Sequence, residues 1–287
     1  MPQSSCAAAT SHPATRWVAL PDGCLAVRDR PASTAVTLRS TVVLIPGYTG
    51  GKEDFSPIAE EVTAVGHTYV AVDLRGQHES PGPDDRSAYA VDALALDVLA
   101  LCDSLGDGAV HLLGHSFGGL VARSAVLQRP QAVRSLVLLA SGPAAIGGDS
   151  AARTRALATM LETHSQAEIA AYREVTDPVH AARPEPVRAL LRERFIGNSR
   201  AGLLGMGDAI LAEPDRVDAL RDTGVPVLVA CGVDDDVWSP AAQATMAHRL
   251  GAAHRVIDGA AHSPAVERPA ETANVLTEFW AGVEDAD

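Results

Sequence analysis

Apolar positions along the chain fall into short unbroken runs separated by longer amphipathic stretches. Thr41-Val42-Val43-Leu44-Ile45, Thr68-Tyr69-Val70-Ala71-Val72, Ala109-Val110-His111-Leu112-Leu113 and Ser135 to Ala140 lack polar/apolar alternation, which predicts strands covered on both faces. Between them, apolar residues recur every three or four positions. Phe55 to Gly66 carries Phe55, Ile58, Ala59 and Val62 on one face, and Tyr89 to Leu105 carries Val91, Leu94, Ala95, Val98, Leu101 and Cys102. Gly119 to Leu127 does the same with Leu120, Val121, Ser124 and Leu127, so three helices are expected. Ahead of these, Trp17 to Leu20 and Cys24 to Val27 flank Pro21-Asp22-Gly23, a hairpin signal. Alternating buried strands and amphipathic helices predict a mostly parallel sheet flanked by helices.

The alternation stops after Ser141-Gly142-Pro143. Residues 144–214 show helical patterns only, interrupted at Pro178, Pro184 and Pro186, and read as a helical lid inserted over the sheet. It resumes with a strand at Val225 to Ala230, a helix at Pro240 to Leu250, a strand at His254 to Ile257 and a helix at Pro269 to Trp280. The expected organisation is a core of residues 17–143 and 215–287 around a lid of 144–214. The first sixteen residues are Ala/Ser/Thr-rich, without the basic and apolar segments of a signal peptide, and read as a disordered tail.

Composition narrows the function classes. A chain of 287 residues, 47% hydrophobic, can bury a full core without disulfides or metals. A formal net charge of −13 argues against nucleic acid and anionic membranes as partners, and no apolar stretch is long enough to span a bilayer. Cys6, Cys24, Cys102 and Cys231 are scattered, with no C-x-x-C pair, which suits free thiols in the cytoplasm. No His/Cys/Asp spacing resembles a metal site, and no cofactor is expected. Lys52 is the only lysine.

The chemistry centres on Gly114-His115-Ser116-Phe117-Gly118, a G-x-S-x-G run between a strand and a helix. So sharp a turn exposes the serine hydroxyl above the sheet and aims the helix N-terminus at any negative charge forming beside it. A serine hydroxyl needs a base, and the base needs an orienter. In parallel sheets such groups gather at strand carboxyl ends. The strand ending at Ala230 runs into Gly232-Val233-Asp234-Asp235-Asp236, where Asp235 is the chosen acid, although sequence does not separate it from its two neighbours. The strand ending at Ile257 runs into Gly259-Ala260-Ala261-His262, which supplies the base. An oxyanion needs two N–H donors; Phe117 is one, and Tyr48 in Pro46-Gly47-Tyr48-Thr49-Gly50-Gly51 is the other. His111 and His115 read as packing or turn-supporting residues.

These landmarks in this order resemble the α/β-hydrolase superfamily over about residues 17 to 283. Asp73-Leu74-Arg75-Gly76 fits the same pattern, but where the commoner family sequence after Arg-Gly is His-Gly-x-Ser, Gln77-His78 stands here. The resemblance implies a serine hydrolase acting on a carboxylic ester, lactone or thioester through an acyl-enzyme on Ser116. A serine at this position argues against the epoxide hydrolases and dehalogenases of the superfamily, which use aspartate. The expected substrate is a small acyl compound, held by lid residues Met160, Leu161, Leu203, Leu204 and Met206 and bordered by Trp238. Two rival readings use the same fold: a natural-product transacylase or cyclase, and a slow-turnover ligand-binding protein.

Overall fold

A computed structural model describes residues 15–286, so most of the segment read as a disordered tail lies outside the described residues. Arg16, assigned to that tail, opens β1 (Arg16–Leu20) and pairs with Asp29. β1 forms a hairpin with β2 (Gly23–Arg30) across the expected turn. β3 (Val42–Ile45) leads to a 3-10 turn at Lys52–Ile58, α1 (Ala59–Ala64) and β4 (Tyr69–Val72). The expected single helix from Phe55 is therefore split. Pro57 lies inside the 3-10 turn, and its missing N–H leaves the α-helical ladder to start only at Ala59.

α2 (Val91–Leu105), β5 (Val110–His115), α3 (Phe117–Gln128) and β6 (Val133–Leu139) follow. β5 runs two residues beyond the expected strand, through Gly114 and His115, because both keep register with Leu138 and Leu139 of β6. Residues after β6 form α4 (Gly148–Thr163), α5 (Gln166–Thr176), α6 (Pro178–Ala181), α7 (Glu185–Gly197) and α8 (Arg200–Ala212), all helical. Pro178 and Pro184 fall at helix starts as expected. Pro186 breaks nothing, since it occupies the first turn of α7, where no intrahelical N–H is needed. α9 (Val217–Asp222), β7 (Val227–Gly232), α10 (Pro240–Leu250), β8 (Ala253–Ile257), α11 (Pro264–Glu267) and α12 (Pro269–Glu284) complete the chain.

The eight strands form one sheet in the order β1-β2-β4-β3-β5-β6-β7-β8. The hairpin pairs antiparallel with β4, and every later pairing is parallel. Unbroken apolar strands now have their reason. Val43, Ile45 and Leu112 face a core shared with α2 and α3, while Val42, Leu44 and Leu113 face one shared with α1 and α12. β3 buries both of its faces, so both parities of its residues are apolar.

The helical stretch α4–α8 is closed at its root. The Ala145 N–H donates to the Glu213 carbonyl at 2.8 Å, and the Ile146 N–H to the Ile210 carbonyl at 3.2 Å. Arg123 of α3, buried under this root, donates to Glu213 Oε1 at 2.9 Å and to the carbonyls of Pro143 and Pro214. Removing the carboxylate would leave a guanidinium stranded in the core. Glu213→Ala should therefore lower unfolding stability by about 3–5 kcal/mol, read as the urea midpoint shift. A loss under about 1 kcal/mol would mean that water reaches Arg123 and the pair contributes little.

Candidate active site

Ser116 sits at φ 54 and ψ −121, outside the regions an L-residue favours, directly between β5 and α3. Backbone closure explains the flanking glycines. A Cβ on Gly114 would come within 2.3 Å of the Gly118 carbonyl oxygen, and one on Gly118 within 2.3 Å of the Ile45 carbonyl oxygen. The strained turn costs about 1–3 kcal/mol, which the buried strand and helix on either side hold in place. The Ser116 N–H donates to the Leu139 carbonyl at 2.9 Å, tying the turn to β6. Phe117 opens α3, so its N–H has no partner within the helix.

Three strand ends converge here. Asp235, three residues past β7, places Oδ1 2.9 Å from His262 Nδ1, and His262 Nε2 lies 2.9 Å from Ser116 Oγ. An ionised carboxylate only accepts, so Nδ1 carries the imidazole proton and Nε2 accepts from the Ser116 hydroxyl. Asp235 also accepts from the Val237 N–H at 3.0 Å and from Gln243 Nε2 at 2.8 Å. Its side chain has no exposed surface, whereas that of Asp236 is 63% exposed and paired with Arg153. Asp234 is exposed, its N–H bound to the Ala260 carbonyl. Tertiary structure thus brings one of the three neighbouring carboxylates to the imidazole. The acid loop and the base loop are clipped together by that bond and by the Val233 N–H donating to Ile257.

One neighbour of this relay, Gln243, was not singled out from sequence, and another, His115, was read there only as a packing or turn-supporting residue. Gln243, on the inward face of α10 with Met246, Ala247 and Leu250, also donates to the Trp238 carbonyl at 2.7 Å and so fixes the turn carrying Asp235. A polar residue in phase with a buried apolar stripe was the available signal. His115 was expected to pack or support the turn; its Nε2 donates to the His262 carbonyl at 2.7 Å, and the two rings lie 5.1 Å apart. Burial, and then the adjacent His262, push His115 down to about 4, so it stays neutral at working pH and adds no positive charge beside the base.

Tyr48 follows Gly47, whose Cα side is so close to the elbow that a Cβ would meet Ser116 Cβ at 3.2 Å. The Tyr48 hydroxyl donates to the Leu203 carbonyl at 2.6 Å, linking the loop to α8. Leu161 and Leu203 are fully buried with Ile169, Ala170 and Phe195, while Met160, Leu204 and Tyr48 pack on that cluster partly exposed. Met206 is fully buried in the larger core, and Trp238 packs there too, its indole N–H donating to the Ala144 carbonyl at 3.2 Å. A cavity of about 60 Å³ lies between Thr49 and α5–α7, lined by Ala170, Phe195 and Arg173 among others; Ser116 is not one of its walls.

Spacing along the chain concealed two groups of possible metal ligands. Glu53, Asp73 and His78 converge, as do His67, His111 and Glu284. The first surrounds Lys52 Nζ, an ammonium in the place of a cation, at 2.6 Å from Asp73 and Glu79 and 3.1 Å from Glu53. In the second, His67 Nδ1 donates to the Ser40 carbonyl and both ring nitrogens of His111 are engaged, by Ser135 Oγ and Glu284, while His67 Nε2 is buried without a hydrogen-bond partner among the described residues.

A serine, an imidazole and a buried carboxylate joined in series at the carboxyl ends of a parallel sheet define an α/β-hydrolase arrangement. The family model described as the alpha/beta hydrolase fold matches residues 40–269, and the chain belongs to this family of enzymes. It is 25% identical over 270 residues to the putative 2-succinyl-6-hydroxy-2,4-cyclohexadiene-1-carboxylate synthase of Bacillus subtilis strain 168, covering 90% of this chain and 96% of that one. Identity reaches 31% over 246 residues with the polyketide synthase ThaQ of Burkholderia thailandensis, covering 78% of this chain and 11% of ThaQ. An esterase from Thermogutta terrifontis shares the fold with a TM-score of 0.77 at 21% identity, over 94% of this chain and 99% of that one.

Proposed function

We propose that the protein is a serine hydrolase that cleaves a carboxylic ester, lactone or thioester through an acyl-enzyme on Ser116. The observation that carries this reading is the continuous relay Ser116–His262–Asp235, with both links at 2.9 Å. Ser116 Oγ attacks the carbonyl as His262 Nε2 takes its proton. Asp235 holds the tautomer and offsets the charge of the imidazolium. The N–H groups of Tyr48 and Phe117 receive the oxyanion. His262 then protonates the leaving alcohol or thiol, and a water activated by the same nitrogen releases the acid. Neutral His115 suits this cycle, because a second cation there would oppose the imidazolium.

Residues 144–214 act as a helical lid in this reading. Its contacts favour that role, since it touches the loops after β3 and β4: Tyr48 meets Leu203, Arg194 meets Asp54, and Ser199 donates to Gly76. Met160 and Leu204 keep exposed surface beside Tyr48 and contact the acyl group; Leu161, Leu203, Met206 and Trp238 support that wall from behind. Met160→Ala and Leu204→Trp should each shift the preferred acyl length while leaving acetyl-ester turnover within about threefold. Profiles of kcat/KM from acetyl to decanoyl esters test this, and unchanged profiles would assign both residues to packing.

Labelling by a fluorophosphonate, followed by turnover of an ester panel, tests the function as a whole. Absence of both labelling and turnover would exclude it. The stretch shared with polyketide synthase ThaQ favours a second reading, in which the acyl-enzyme is resolved by an alcohol or amine and not by water. Product mass separates the two, since hydrolysis adds the elements of water.

A further inference from the structure

Gln77 stands where the family pattern differs from this chain, and its side chain is fully buried. Its Nε2 donates to the Gly47 carbonyl at 2.8 Å and to the Tyr48 carbonyl at 3.2 Å. Its Oε1 accepts from the Leu74 N–H at 3.0 Å. A backbone N–H can only donate, so the amide has one orientation, with its NH2 toward the two carbonyls.

The geometry points to Gln77 as the positioning residue of the oxyanion loop, an inference that rests on the Ser116 reading. The Gly47 carbonyl and the Tyr48 N–H belong to one planar trans peptide and point in opposite directions. Holding that carbonyl therefore aims that N–H. The Gly50 N–H donates to the same Gly47 oxygen at 3.0 Å, so two donors fix it. Pulling electron density onto the oxygen also makes the opposite N–H a stronger donor. The second carbonyl held, that of Tyr48, fixes the next peptide, so the loop cannot rotate about Tyr48.

Gln77 is itself held firmly. Its N–H donates to Leu74, its carbonyl accepts from Ser80, and the Ser80 hydroxyl donates to the Asp73 carbonyl at 2.6 Å. Asp73 Oδ1 takes the backbone N–H of Lys52 at 2.8 Å, and Oδ2 takes its Nζ at 2.6 Å. The chain's only lysine thereby ties the turn bearing Gln77 to the downstream end of the loop that Gln77 orients. Burial opposes its charge, but Asp73 and Glu53 outweigh that and raise it above an ordinary lysine, so the clamp stays charged. One side of the hole is aimed by the elbow and the other by this turn.

Gln77→Met keeps length and removes the donor; Gln77→Glu keeps shape and sets a carboxylate against two carbonyl oxygens. Both are measured as active-site-titrated enzyme, counted by fluorophosphonate, with a p-nitrophenyl ester as substrate and a phenylboronic acid as tetrahedral analogue. Each variant should lose about 10²-fold in kcat, the scale of one oxyanion donor, with KM within about threefold. Boronic acid affinity should fall by a similar factor, and Gln77→Glu should lose more than Gln77→Met. If activity and boronate affinity per titrated site stay at wild-type values, with only Tm lowered, Gln77 merely supports the fold and the inference is overturned. A rise in KM alone overturns it as well. Ser116→Ala separates this from failure of the parent reading: full turnover in that variant would remove the oxyanion, and with it the role of Gln77.

Discussion

Ser116→Ala should reduce ester turnover by about 10⁶-fold and abolish fluorophosphonate labelling, while leaving the unfolding midpoint unchanged or raised. In the proposed mechanism every covalent step passes through Oγ, so its removal would leave only whatever the oxyanion donors and binding contribute. Stability should not suffer, because Ser116 shapes the turn through its backbone: its N–H bonds Leu139 and its carbonyl accepts from Gly119. The strain at φ 54 belongs to any residue with a Cβ and persists in alanine. Among the described residues only the 2.9 Å bond to His262 Nε2 is lost, and the His262 side chain is partly exposed to water. Turnover with a short ester, intact-mass labelling and urea melts together check this. Undiminished turnover in a folded variant would discard the serine mechanism.

Asp235→Asn should lower kcat by about 10⁴-fold, the scale known for replacing a triad aspartate by its amide. Three donors aim at this carboxylate: Val237 N–H, Gln243 Nε2 and His262 Nδ1. An asparagine offers one acceptor atom and one NH2. Gln243 and the Val237 N–H arrive as donors on both sides, so one of them meets a donor in the variant, and the imidazole can turn its unprotonated Nδ1 to the new NH2. Nε2 would then carry a proton and could not accept from Ser116. Asp234→Asn and Asp236→Asn should stay within about threefold, because Asp236 makes a surface pair with Arg153 at 2.9 Å, and such pairs contribute little. A larger loss from either neighbour than from Asp235 would reassign the acid. Steady-state kcat on an acetyl ester, with melting curves for each variant, decides it.

Strand order of chemistry was legible because local rules and the global fold agree. Unbroken apolar runs can be stable only as strands buried on both faces, and glycines at 114 and 118 are demanded by backbone contacts that a side chain of any kind would violate. Ser116 follows such a run, whereas His262 follows the mostly exposed edge strand β8; sequence placed both just past strand ends. Helical periodicity and the absence of strand patterns likewise marked residues 144–214 as helical, and α4 to α8 lie there. Sequence did not decide among Asp234, Asp235 and Asp236, since three adjacent carboxylates differ only in direction. Which of them meets His262 is set by the clip between Asp234 and Ala260, a contact across tens of residues, and by Gln243 on the following helix. Nor did sequence divide the insertion's apolar residues. Leu161 and Leu203 share their helices with Met160 and Leu204, and only packing turns one pair fully inward and leaves the other partly exposed. From sequence Lys52 was noted only as the chain's one lysine. Asp73 and Glu79 arrive from after β4, a parallel neighbour of β3, and their two carboxylates make its burial tolerable. Periodicity encodes which elements form, because burial of each face is a local requirement. The meeting of charges from separate loops depends on strand order and register, which no local pattern carries.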